Sequence, residues 1–159
     1  IETENFKIIE INNFFSNFKK NYMGNSRNIN LKLIMKNNHL EVLVNEDKFL
    51  QVILNLIDNS ISVSKNNSTI LIKTLKFDIK HIVIKIYDQG KGINIQDKEK
   101  IFNRFYTDRD QFRSEHSGLG LSISREIIKS FNGSIKLTES DELDFPGACF
   151  IIKLPLIIQ

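Results

Sequence analysis

Phe49-Leu50-Gln51-Val52-Ile53-Leu54-Asn55-Leu56-Ile57-Asp58-Asn59 carries the periodicity on which the fold turns. Phe49, Val52, Ile53, Leu56 and Ile57 recur at three- and four-residue spacing, one buried stripe of an α-helix. The pattern predicts a helix from about Glu46 to Ser64, with Ile61 extending the stripe. Asn45 precedes it as a cap, and Lys65-Asn66-Asn67 breaks it. Asn55 and Asn59 lie four apart, so their amides share a face. A carboxamide at the edge of an apolar stripe needs a partner, from the protein or from a ligand. The competing reading is an outward, solvated Asn59, since the chain holds eighteen asparagines.

On the N-terminal side, Ile11, Phe14, Phe15, Phe18 and Tyr22 predict a second helix within residues 5–22. Met23 to Asn28 reads as a loop. Ile29, Leu31 and Leu33, then Leu40, Val42 and Val44, alternate like two short strands joined by a turn at Asn37-Asn38. On the C-terminal side, Thr69 to Lys76 and His81 to Tyr87 read as strands around a turn near Asp78. A short helix near Gln96 to Phe105 precedes a polar stretch, Tyr106 to Ser117, which reads as a mobile loop. A third main helix runs from Leu121 to Phe131, with Ile123, Ile127 and Ile128 inward, and stops at Asn132-Gly133. Ile135 to Thr138 and Cys149 to Leu154 close the chain as paired strands, joined by Asp141 to Gly147. The order predicts an α+β fold: a two-layer α/β sandwich whose mixed, mostly antiparallel sheet is covered on one face by three main helices.

The 159 residues suit one domain over 1–159, and 41% apolar with 26% charged residues is a globular composition. A net charge of +3 is too small and too evenly spread for a nucleic-acid surface. The lone cysteine, Cys149, excludes internal disulfides and a thiolate metal cluster. No apolar run approaches a membrane span. Ile1-Glu2-Thr3-Glu4 has neither a start Met nor a basic signal region, which reads as a piece of a larger protein.

Four of the seven glycines fall in two pairs, Gly90/Gly92 and Gly118/Gly120. The first follows Asp88 at a strand end. The second opens a helix, whose free amides can receive an anion. Neither is a dinucleotide fingerprint or a P-loop.

These residues in this order resemble the catalytic and ATP-binding domain of bacterial sensor histidine kinases, in the GHKL ATPase superfamily with gyrase B, Hsp90 and MutL. Residues 51–59 resemble the N box, and Asp88-Gln89-Gly90-Lys91-Gly92-Ile93 the first glycine box. Ile101-Phe102-Asn103-Arg104-Phe105-Tyr106 resembles the F box, which points to the kinases rather than to gyrase, Hsp90 or MutL. Ser117-Gly118-Leu119-Gly120-Leu121-Ser122-Ile123 resembles the second glycine box. Residues 105–109 with 116–124 are similar to the ChvG branch of alphaproteobacterial sensors. The resemblance implies the Bergerat fold, an N-terminal helix and linker over 1–28, and an ATP lid over 106–118.

It also implies roles. Asn59 would ligate Mg²⁺ through its side-chain oxygen, and Asn55 would orient phosphate or metal-bound water. Asp88 would accept a hydrogen bond from the adenine amine. Gly90, Gly92, Ile93 and Tyr106 would line the nucleotide. Gly118, Leu119, Gly120 and Leu121 would also border the nucleotide, Gly118 and Gly120 as the lid hinge, Leu119 as lid packing and Leu121 as core. Phe102 and Phe105 would anchor the lid base. Arg104 would join Asn59 and Asn55 in catalysis, with Arg109 and Arg113 as further candidates. The implied reaction moves the γ-phosphoryl group of Mg-ATP to a histidine on the parent chain's dimerisation domain, for relay to a response regulator. The parent would be an inner-membrane sensor with this domain in the cytoplasm, itself soluble and monomeric. No nucleic-acid partner is implied.

Two positions depart from the family pattern. Ser60 stands where Ala is frequent, and Ser62 where Lys can reach a phosphate. His39, His81 and His116 read as surface residues, with no phosphoacceptor helix around them. Three alternatives stay open: a degenerate ATP- or protein-binding regulatory module, a serine protein kinase of the anti-sigma type, and a general ATPase of the gyrase or MutL type.

Overall fold

The structure, a computed structural model, describes residues 5–22, 27–92, 96, 98–104 and 120–158. The elements run β1 (Phe6–Glu10), α1 (Ile11–Asn21), β2 (Asn30–Met35), β3 (Glu41–Asn45), α2 (Glu46–Ser62), β4 (Thr69–Lys76) and β5 (His81–Tyr87). A short 3-10 helix (Lys98–Phe102), α3 (Gly120–Ser130), β6 (Ser134–Glu139) and β7 (Ala148–Pro155) complete them.

Five strands form the main sheet in the order β2-β4-β5-β7-β6. β2 and β4 are parallel, and every other neighbour pair is antiparallel. One face carries Leu31, Ile70, Ile72, Ile84, Ile152 and their neighbours into a core shared with the helices. α1 packs on β2, α2 on β4 and β5, and α3 on β6. This is the expected mixed, mostly antiparallel sheet with three helices on one face.

Two expectations about the strands fail. β2 and β3 are not a hairpin. β3 pairs antiparallel with β1 in a separate two-stranded sheet, with Ile9 opposite Val42. The chain crosses between the sheets through Lys36 to Leu40, pinned by asparagine side chains. Asn12 donates to the Asn37 carbonyl at 2.6 Å and accepts from the buried Thr74 hydroxyl at 2.7 Å. His39 turns the chain with φ 57°. β1 itself lies where the helical reading of residues 5–22 begins. Glu10 ends it and caps α1, accepting from the Asn13 amide at 2.6 Å.

The helix boundaries follow their caps. Asn45 Oδ1 accepts from the Lys48 amide at 3.1 Å at the start of α2. At its end, the Arg27 guanidinium takes the carbonyls of Ile61, Ser62 and Ser64, a cation on the negative end of the helix dipole. α3 stops in a Schellman arrangement: the Gly133 amide reaches the Ile128 carbonyl at 3.0 Å, and Asn132 takes φ 60°. Within α3, Ile127 and Ile128 point inward as expected, but Ile123 is exposed. Leu121, Ser124 and Phe131 fill the buried face instead.

Candidate functional site

The buried stripe of α2 leaves Asn55 and Asn59 on one flank. Asn59 is 4% exposed, and its carboxamide makes no hydrogen bond with another described residue. Asn55 is half-buried and donates Nδ2 to Ser124 Oγ on α3 at 3.1 Å. Gly120, the first residue of α3, packs directly on the same amide. A Cβ there would overlap Asn55 Oδ1 and come within 3.0 Å of Cγ. The N-terminus of α3 therefore sits against the asparagine flank of α2, with Leu121 buried beneath.

Asp88 follows β5 and is 1% exposed. Its Oδ1 accepts the Gly90 amide at 2.9 Å and the Ala148 amide at 3.2 Å. No described residue donates to Oδ2. Burial raises the Asp88 carboxyl to about 6, against the lowering effect of those two amides. It is therefore ionised at neutral pH, with one oxygen saturated and one open to a donor.

The surroundings are built for close approach. A Cβ on Gly147 would overlap Asp88 Oδ1 and come within 2.8 Å of the Gly90 nitrogen. The Gly147 amide donates to the Asp88 carbonyl at 3.1 Å. A Cβ on Gly90 would meet the Val63 carbonyl at 2.6 Å, so the C-terminal cap of α2 forms the opposite wall. Gly92 takes φ 80°. Gln89 fastens the turn from outside, accepting from the Thr69 amide and donating to the Asp144 carbonyl. A neighbouring cleft of about 750 Å³ shares Gly92, Gly147 and Ala148, but neither asparagine lines it.

Asn55, Gly120 and Leu121 thus form one cluster, and Asp88, Gly90 and Val63 another. α2 carries residues of both, with Asn59 between Asn55 and Val63 along it. Arg104 is exposed beyond the 3-10 helix and makes no hydrogen bond or salt bridge with a described residue. Ile93, Phe105, Tyr106, Gly118 and Leu119, with the lid expected over 106–118, His116 and the arginines 109 and 113, lie outside the described residues. Phe102 is buried edge-on against Phe150 at 6.4 Å.

The two departures have structural counterparts. Ser62 Oγ turns back to the Asn59 carbonyl at 2.7 Å. The Ser60 hydroxyl is sealed from solvent and has no hydrogen-bond partner among the described residues.

Gly147 and Val63 stand against Asp88 and Gly90, and sequence reasoning leaves both out of the candidate site. Arg125 is a third omission. It donates to Glu99 at 2.6 Å and to the Ile135 carbonyl at 2.8 Å, and its guanidinium lies 3.8 Å from the Phe102 ring centre. It fixes the 3-10 helix to α3 and β6.

Residues 44–158 match the family described as histidine kinase-, DNA gyrase B-, and HSP90-like ATPase. The chain belongs to this family. Sensor protein ChvG of Rhizobium meliloti (strain 1021) is 38% identical over 110 residues, 66% of this chain and 19% of that protein. The signal transduction histidine-protein kinase ArlS of Staphylococcus aureus (strain USA300) is 41% identical over 101 residues, 62% of this chain and 22% of ArlS. The chain spans about a fifth of the length of these relatives. Among solved structures, the mycobacterial sensor histidine kinase MprB superposes with TM-score 0.76 at 21% identity, covering 97% of this chain and 99% of MprB. The catalytic domain of histidine kinase ThkA gives TM-score 0.73 at 26% identity, covering 94% and 96%. The chain is an ATPase-family domain homologous to those of sensor histidine kinases. Among the described residues no helix is long and apolar enough to cross a membrane.

Proposed function

We propose that this domain binds Mg-ATP and presents its γ-phosphate to a histidine on a separate helical domain of its parent protein, for relay to a response regulator. The observation that carries the nucleotide reading is Asp88: buried, ionised at neutral pH, with Oδ1 saturated by two backbone amides and Oδ2 open. A carboxylate so held accepts a hydrogen bond from an exocyclic amine and rejects a carbonyl, which favours adenine over guanine. Gly90 and Val63 would flank the base, with Ile93 and Tyr106 as further walls.

A divalent metal fits Asn59. Its buried carboxamide has no described partner, and an amide oxygen is the hard ligand Mg²⁺ takes, alongside phosphate oxygens and water. When bound, Mg²⁺ would supply charge neutralisation of the phosphates. Asn55, held by Ser124, would orient the phosphate side. Gly118, Leu119, Gly120 and Leu121 would bring the amides of α3 to the phosphates. Positioning and water exclusion would supply most of the catalysis. Arg104, without a hydrogen bond or salt bridge to a described residue, would meet phosphate or the acceptor domain. With Ser62 turned onto the backbone, position 62 adds no cation, so affinity should be modest.

The histidine-kinase reading over the other ATPases rests on the F-box residues and on the named homologues. One solved neighbour is histidine kinase ThkA in complex with the response regulator protein TrrA, which supports relay as the output. The same kinship supports membrane anchorage of the parent and a cytoplasmic place for this domain. The domain alone should be a soluble monomer without affinity for nucleic acid.

The test is calorimetric titration with a non-hydrolysable ATP analogue, with and without Mg²⁺, on the native chain and Asn59→Ala. Saturable binding strengthened by Mg²⁺, with that gain lost in Asn59→Ala, is expected. No heat from folded protein at millimolar nucleotide would reject the reading in favour of a degenerate module. Incubation with γ-labelled ATP separates the transfer step. Acid-labile label should appear on an added phosphoacceptor domain, and label on this chain alone would contradict the assignment.

A further inference from the structure

The sheet face away from the helices is basic. The five strands of the main sheet carry Lys32, Lys73, Lys76, Lys85, Lys136 and Lys153 against one acid, Glu139. Whole-chain charge is only +3, so this is segregation. Strand alternation sends all of these lysines except Lys76 to the outer face, between Leu71, Leu75, Val83 and Ile151. Lys73 and Lys85 stand directly opposite each other, a like-charge pair that is destabilising unless neutralised.

Half of that face is occupied, and the occupant shows what it accepts. The loop between β6 and β7 lies across it. Asp141 takes Lys85 at 3.2 Å and the Tyr87 hydroxyl at 2.6 Å, and Glu142 takes Lys73 at 2.7 Å. Phe145 is buried with Leu71, Tyr87 and Cys149. Two carboxylates on a facing lysine pair, with an aromatic ring seated beside them on Leu71 and Tyr87, is thus the docking chemistry of this surface. The other end repeats it without a described occupant. Lys136 is exposed, and Lys153 lies 4.1 Å over the ring of Phe77, itself 59% exposed. Ile79 beside it is 80% exposed. Lys136 pairs opposite Ile151, which places Lys153 diagonally, roughly 7 Å away.

We infer that the open end of the outer sheet face, around Lys136, Lys153 and Phe77, docks an acidic segment carrying an apolar or aromatic residue, supplied by another protein. The occupant is a protein segment rather than a lipid surface because the cis loop already satisfies this face with discrete carboxylates at lysine spacing and one buried ring. The surface is separate from Asp88, Asn55 and Asn59.

The experiment uses the free peptide Ser-Asp-Glu-Leu-Asp-Phe-Pro-Gly, the sequence of residues 140–147, as probe. It is titrated into the ¹⁵N-labelled chain while amide shifts are followed. Saturable shifts at residues 76–81 and 151–155, weakened about tenfold by Lys136→Glu with Lys153→Glu, are expected. Phe77→Ala should weaken them several-fold, and nucleotide affinity should be unchanged in every variant. No saturable shift at millimolar peptide overturns the inference. So do shifts confined to the Lys73–Lys85 end, which would mean exchange with the protein's own loop. Lysine-dependent binding to phosphatidylglycerol vesicles without peptide binding overturns it in favour of a membrane surface.

Discussion

Gly120 and Asn55 are in direct contact: the amide of one asparagine on α2 occupies the space where a Cβ at the first residue of α3 would stand. The same amide is tied to Ser124 one turn further along α3. Gly120→Ala therefore has to push the Asn55 side chain off its present position. That side chain is a flexible terminus, and Ala is a better helix former than Gly by about 1 kcal/mol. Stability should stay within about 1 kcal/mol of the native chain, while Mg-nucleotide affinity falls about tenfold. Chemical denaturation and calorimetry read the two separately. Unchanged affinity would show that Asn55 does not serve the phosphate side.

Asp88 makes opposite demands on stability and on binding. Its carboxyl is raised by burial from 3.8 to about 6, so the folded state holds that proton more tightly than the unfolded state. The stabilisation this gives is complete below about pH 4 and is lost as pH rises to about 6. Asp88→Asn keeps an acceptor for Gly90 and Ala148 but carries no charge. Relative to that variant, the native chain should lose melting temperature between pH 4.5 and 7. Nucleotide binding should run the other way, rising as pH passes through about 6. In Asp88→Asn it should be at least about 100-fold weaker at pH 7.5, where an amide donor faces the adenine amine. A variant that binds normally would remove Asp88 from adenine recognition.

Arg125 is the side chain that fixes the 3-10 helix, through Glu99, the Ile135 carbonyl and the Phe102 ring. Its hydrogen bond, against the opposing effect of burial and with the added charges of Arg125, Lys136 and Lys129, holds the Glu99 carboxyl below its usual range. Arg125→Ala should cost roughly 1.5–3 kcal/mol. Arg125→Lys should recover little, because one ammonium cannot serve a carboxylate, a carbonyl and a ring face together. Faster amide exchange confined to residues 98–102 would locate the effect. A melt within 0.5 kcal/mol of native, on the order of an ordinary surface substitution, would reject it.

What the sequence reveals depends on how local the cause is. β4 and β5 are legible to the residue because isoleucines alternate over a turn that Asp78 stabilises through the Lys80 amide. The asparagine flank of α2 is legible because two polar residues interrupt a strong stripe. β1 is not, because Phe6 and Ile8–Ile9 precede a helix without a turn signal and acquire their partner from β3, 35 residues on. Arg27 reads as a loop residue, since its carbonyls lie 34 to 37 residues away. Gly147 reads as a strand-end glycine, and only the fold sets it on Asp88. Ile123 is misread as inward because α3 turns Ser124 toward Asn55 instead.

Ser60 adjoins Asn59 yet serves nothing in reach. Its hydroxyl is sealed from solvent and has no hydrogen-bond partner among the described residues, while its carbonyl accepts from Ser64 Oγ at 2.6 Å. A buried hydroxyl left unpaired costs about 1–3 kcal/mol, and Ser is also a poorer helix former than Ala. Ser60→Ala removes the oxygen without changing the backbone bond, so it should stabilise the domain by about 1 kcal/mol, partly offset by the small void. Because the oxygen is sealed, a nucleotide on the Asn59 flank should not reach it, and affinity should be unchanged. Thermal melts with and without Mg-nucleotide check both halves. A stabilised variant with unaltered ligand-induced shift is expected. Weaker nucleotide binding in Ser60→Ala would instead make this hydroxyl part of the site, partnered only when the ligand is bound.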